Sequence, residues 1–190
     1  VASAPAGAGF WGLALRYLKA PATLVGGAVS QALYPKLAEA ATQSGPAGQG
    51  TVPAVSRATV LRVISGLSAI AAPMVIVLWW WAPDAFAWAF GEPWREAGDL
   101  ARALALYIGV HFVASPLGVV TMAWGAQAWA LKLALAGQLL FVAALSIGLA
   151  RGGLVHAGWW VSVTMTLYFG WYFFKLATWP VAPQEAQANP

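Results

Sequence analysis

Arg16 and Lys19 stand one helical turn apart in the run GLALRYLKAPATLVGGAVSQALYP, residues 12–35, which is otherwise apolar enough to lie in a membrane. A guanidinium grips a phosphate through two parallel hydrogen bonds and an ammonium adds a compact point charge, so the pair suits a phosphate-bearing ligand. Cations in such a span cost about 2.5–3.5 kcal/mol each on insertion scales, and something must compensate them. The first acidic residue of the chain is Glu39, beyond the end of the run. Their partner is therefore elsewhere in the protein, or it is not protein.

At 100° per residue Gly12, Arg16, Lys19, Thr23, Gly26, Gly27 and Ser30 fall on one face of a helix, opposite Leu18, Pro21, Leu24, Val25 and Ala28. Two readings are open. The small, polar stripe lines a water-filled cavity and offers Arg16, Lys19 and Thr23 to an anion, or the cations pair with carboxylates on other helices while the glycines permit close packing.

His111 sits within another apolar run, with Tyr107, Ser115 and Gly118 near the same face. An imidazole there could respond to protons in a coupling role, or simply be hydrogen-bonded inside a bundle. Pro21, Pro73 and Pro116 each interrupt an apolar run and free carbonyls that neighbouring helices or water must satisfy. The GxxxG match in GLARG, residues 148–152, lies near the end of a run in a Gly-rich chain and is expected to be chance.

The elements that must position these residues follow from composition. Of 190 residues 61% are hydrophobic and 8% charged, against about 25% charged in soluble domains, which marks an integral membrane protein. With no cysteine and two histidines, disulfide frameworks and Cys/His metal sites are excluded, and the motifs of phosphate loops and nucleophile elbows are missing. The excess of basic residues is scattered over the ends of apolar runs, as orientation and anionic lipid require, which argues against nucleic acid.

Since about 20 apolar residues cross a bilayer, five transmembrane helices are predicted, at 10–33, 63–82, 103–124, 129–150 and 154–177. They form an all-α bundle over residues 1–177, followed by a polar, Pro-containing tail at 178–190. The segment PDAFAWAFGEPWREAGD, 83–99, reads as a short interfacial stretch, with Pro93 placed to begin the next helix and Glu92, Glu96, Asp99, Arg95 and Arg102 forming surface pairs. Short connections make the last three spans an antiparallel hairpin series. Lys36, Arg57, Arg62, Lys132 and Lys175 collect on one side, so the first loop and the C-terminus are expected in the cytoplasm. Val1 is then outside, and at least one upstream span is expected to precede it.

Three ordered motifs carry a family resemblance. The run GFWGLALRYLKAPATLVGGAVSQALYPKLAEA, 9–40, resembles the span of bacterial polysaccharide flippases that begins Gly-x-Tyr-x-Leu-Ala-x-Arg, with Trp11 in place of the usual Tyr. FGEPWREAG, 90–98, resembles their Phe-Gly-x-x-Trp-x-x-Ala-Gly signature, and FVASPLGVVTMAWGAQ, 112–127, is similar to the span that follows. The last two spans match only in hydropathy.

The resemblance implies the multidrug/oligosaccharidyl-lipid/polysaccharide exporter superfamily, and within it the Wzx-type flippases. It implies most of the second bundle of a two-bundle, alternating-access transporter in the bacterial inner membrane, with an N-terminal bundle as its partner. The implied substrate is undecaprenyl-diphosphate-linked oligosaccharide for O-antigen, capsule or exopolysaccharide, which gives Arg16 and Lys19 a diphosphate to bind. No cofactor, metal or catalytic residue is implied. The alternatives are a drug or peptidoglycan-precursor exporter of the same superfamily, which would want a more acidic cavity for cationic drugs, a membrane-embedded glycan-transferring enzyme, and an inactive packing partner.

Overall fold

The computed structural model of the chain describes residues 26–39 and 54–180. No strand occurs among them, since an apolar backbone at membrane depth has no water to bond and satisfies its own N–H and C=O groups in helices. A helix over 26–39 (α1) is followed by α2 (Ala54–Phe90) and a 3-10 turn (Glu92–Trp94). Then come α3 (Arg95–Ala114), a second 3-10 turn (Ser115–Leu117), α4 (Gly118–Ala123), α5 (Gln127–Gly152) and α6 (Leu154–Ala177).

Three stretches are long and apolar enough to cross a membrane, Ser56–Phe90, Glu92–Ala123 and Gln127–Gly152. They make this an all-helical protein of membrane type. The predicted span at 154–177 is helical over the same residues but is not among these three stretches, its Trp and Tyr rings, Ser162, Thr164 and Thr166 making it less purely aliphatic.

Several predicted boundaries are corrected. α1 runs past residue 33 and through Pro35, because Leu33 and Leu37, four residues apart, are buried to 3% and 1% against Val60, Leu117, Val120 and Leu176. That packing offsets the hydrogen bond that proline forfeits. Residues 10–25 of the first predicted span, and with them Arg16, Lys19 and Thr23, lie outside the described residues.

The helix drawn at 63–82 extends to 37 residues, about 55 Å at 1.5 Å per residue, so it exceeds a 30 Å hydrocarbon core. The stretch from Pro83 to Phe90 is thus the last part of α2 and not a separate interfacial segment. The break comes at Gly91, whose φ of 95° is open to glycine, and Pro93 starts the 3-10 turn leading into α3. Pro83 leaves the carbonyl of Trp79, four residues earlier, without its helical donor, and Arg102 of α3 supplies one from Nε at 2.8 Å. This cross-helix bond lets α2 carry a proline without ending.

α3 is the centre of the bundle. The most apolar window of Glu92–Ala123, the stretch that contains it, is 67% buried, against 17% for α2 and for α5. α2 packs on one side and α6 on the other, and α5 packs on α6. Glycines set these distances: a Cβ on Gly98 would collide with the backbone of Ala82 and Pro83, and one on Gly148 with the backbone of Ala157. Gly148, dismissed as part of a chance GxxxG match, therefore sits at the closest approach of α5 and α6. Between α3 and α6 the fully buried Ser162 donates to the carbonyl of Ala103 and accepts from the N–H of Tyr107.

The expected hairpin series is only half formed. α5 and α6 pair through the one-residue turn at Gly153. α4 and α5 are also joined tightly, by a turn in which Ala126 N bonds Thr121 O at 2.8 Å and Gly125 N bonds Met122 O at 3.1 Å, yet α5 then diverges from α3.

Candidate functional site

The divergence of α5 leaves a cleft between α3–α4 and α5, floored by α6. Its inner lobe, about 440 Å³, is lined by Tyr107 and His111 of α3, Gln138 of α5 and Tyr168 of α6. Its outer lobe, about 360 Å³, is lined by Gly118 and Thr121 of α4, Gln127 of α5 and Tyr172 of α6. Both share Ala134, Tyr168 and Phe169, so they form one continuous depression. Phe141, Ala144 and Leu145 of α5 close it at one end against Leu104, Tyr107 and Ile108.

Local sequence explains each wall. Tyr107 and His111, one turn apart on α3, stack in parallel with ring centroids at 5.5 Å and an interplanar angle of 3°. Phe169 lies 5.9 Å from the imidazole and Phe141 lies 5.7 Å from Tyr107. Gly137 makes room on α5 for the Tyr168 ring, whose hydroxyl donates to the carbonyl of Leu133 at 2.6 Å. Neither lobe is lined by a carboxylate, lysine or arginine among the described residues. Such a surface offers an imidazole, an amide and phenols among ring faces, groups able to hydrogen-bond hydroxyls.

The cleft borders the break in the third span. Proline at 116 lies in the 3-10 segment Ser115–Leu117, and two carbonyls of that segment are met by other helices. Ser30 of α1 donates to Pro116 O at 3.2 Å, and Tyr172 of α6 donates to Leu117 O at 3.2 Å.

The predicted site residues separate accordingly. His111 and Tyr107 line the inner lobe and Gly118 the outer one, while Ser115 turns toward Gly26 of α1. Of the small-residue stripe, Gly26 and Ser30 are packing positions against Ser115 and Pro116, and Gly27 is exposed. For Gly26 and Ser30 this favours the second of the two readings, close packing over cavity lining. Gln138 and Tyr168 were missed, although an amide beside a glycine in the run LALAGQLL is a visible signal.

The charged residues fall at two ends. Lys36, Arg57, Arg62, Lys132 and Lys175 lie at one, where Arg57 donates to Trp179 O at 3.4 Å and Trp124 Nε1 donates to Ser56 at 2.9 Å. Trp179, assigned from sequence to the polar tail, is packed there against Trp124 and Trp129 at 5.4 and 5.1 Å. At the other end Arg95 bridges Glu92 at 2.7 Å and Asp84 at 2.6 Å, and Arg102 meets Asp99 at 3.7 Å, so the expected surface pairs form and Asp84 joins them. All are solvent-accessible and contribute little each. Comparison with protein-family models, curated proteins and solved structures gives no match for the chain.

Proposed function

We propose that the chain is a helical bundle of a bacterial inner-membrane transporter that flips a diphosphate-linked lipid oligosaccharide. The sugar headgroup passes through the cleft while the lipid tail stays in the bilayer. The observation that carries this reading is the convergence of Tyr107, His111, Gln138 and Tyr168 on one depression in a helical protein of membrane type. Polar groups at that depth are costly and mark substrate paths. Arg16, Lys19 and Thr23 supply the diphosphate end of the site, and His111 a proton-responsive group beside the sugar.

The cleft is closed near the ion-paired end and its outer lobe lies toward the basic one, which the positive-inside rule assigns to the cytoplasm together with the C-terminus. A substrate assembled in the cytoplasm would enter there. Alternating access requires a second, pseudo-symmetric bundle, the partner of this one.

The test uses the full-length protein in cells whose growth depends on exporting a lipid-linked glycan. Arg16→Ala and Lys19→Ala abolish export at unchanged protein level, Arg16→Lys restores it only in part, and Gln138→Leu lowers it without loss of protein. If the cations were instead paired with buried carboxylates, each single change would strand a charge at about 3–5 kcal/mol and deplete the protein. Recovery of abundance on deleting an acid would then refute the proposal.

A further inference from the structure

We infer that the outward groove between α5 and α6 is a binding site for one anionic phospholipid. The groove, about 450 Å³, is lined by Trp129, Lys132, Leu133, Ala136 and Leu140 of α5 and by Tyr168 and Trp171 of α6, with Leu133 and Tyr168 shared with the cleft. On α5 the positions 129, 132, 136 and 140 share one face at helical spacing, and on α6 the positions 168, 171 and 175 do the same. Lys175 holds its ammonium over the Trp171 ring at 5.7 Å, which brings a second cation to the same rim.

Polarity runs along the groove in the order a phospholipid presents it. Lys132 and Lys175 both lie at the basic end, where Glu39 is the only carboxylate among the described residues and belongs to α1. From Lys132 to Leu140 the groove runs about 12 Å into the span at 1.5 Å per residue, and beyond the lysines its α5 wall is alanine and leucine. A phosphate on the two lysines, with an acyl chain along Leu133, Ala136 and Leu140, satisfies both halves. Basic pockets between membrane helices on the cytoplasmic side hold anionic headgroups for this reason. Charge complementarity selects this occupant over a second copy of the chain, which would set lysine against lysine. The inference does not depend on what the cleft transports.

Native mass spectrometry of the full chain, purified in detergent and mixed with phosphatidylglycerol or phosphatidylcholine, tests it. The expected result is preferential retention of phosphatidylglycerol that weakens with salt. Lys132→Gln with Lys175→Gln lowers that retention roughly fivefold per lysine, or about thirtyfold together. Ala136→Trp, which fills the groove and leaves both lysines, also releases the lipid, with helix content unchanged by circular dichroism. Equal retention of the two lipids, retention that survives Ala136→Trp, or competition by soluble glycerol phosphate as effective as by lipid would each overturn the site. So would disulfide formation between copies carrying Leu140→Cys, which would assign the groove to a second chain.

Discussion

The two ends of the bundle are built differently. Near Asp84, Glu92 and Arg95 the helices meet backbone to backbone, with Gly98 against Pro83, Gly158 against Ala103 and Gly148 against Ala157. Near Arg57 and Lys175 they meet through rings: Trp129 stacks on Tyr172 at 5.9 Å and meets Trp179 edge-on at 5.1 Å. The charges follow the same division among the described residues, with Arg95 and Arg102 bound to carboxylates and Arg151 over the Trp160 ring at the first end, and five basic side chains against one acid at the second. Small residues pin helices at short range, whereas large rings hold them farther apart and leave room between them. The cleft lies between α3–α4 and α5, where none of the described α5 glycines brings that helix against α3.

The sharpest test of that division is all-or-none. The chain has no cysteine, so single cysteines can be placed at Ala89 in the ion-paired end and at Thr178 in the basic end. A membrane-impermeant thiol reagent applied to intact cells is expected to label Ala89→Cys and to spare Thr178→Cys until the membrane is opened. The reverse pattern would break the assignment of the basic end to the cytoplasm.

Next in size is the contrast between two glycines. Gly148→Leu forces a side chain into the backbone of Ala157 and is expected to cost about 1–3 kcal/mol, read from thermal unfolding in detergent. Gly118→Ala, at a helical position of the open end with no atom near its added Cβ, is expected to be neutral or to stabilise by roughly 0.5–1 kcal/mol. Similar losses at both would mean that the open end is as tightly pinned as the other.

The smallest effect concerns Arg102, whose bond to Trp79 O stands in for the N–H that Pro83 lacks. Arg102→Leu is expected to cost about 1 kcal/mol, and less in a Pro83→Ala background where residue 83 can donate to Trp79 itself. Equal costs in the two backgrounds would reduce Arg102 to its exposed pair with Asp99. The double-mutant cycle measures that coupling directly.

Much of the local chemistry was legible in the sequence, because it depends on neighbours along one helix. The pairing of Glu92 with Arg95 and of Asp99 with Arg102 follows from spacing of three, and the shared face of Tyr107 and His111 from spacing of four. That Pro116 breaks the third span follows from its missing N–H, but not that the carbonyls of Pro116 and Leu117 take outside donors. The donors themselves, Ser30 and Tyr172, are 86 and 55 residues from their acceptors and could not be named. The extension of α2 through Pro83 was missed for the same reason, since its compensating donor sits on α3.

By itself, then, the sequence determined a helical membrane protein, the ends where its charges gather, and the helix faces on which His111 and Tyr107 meet. Which faces turn inward was decided only by the tertiary structure. α5 is nearly uniformly apolar, and apart from Gln127 and Gln138 its composition carries little preference for the side that meets α6 over the side that opens on the cleft. That preference came from volume: Gly148 admits Ala157 at one end and Gly137 admits the ring of Tyr168 near the middle, so this side of α5 is the one that meets α6.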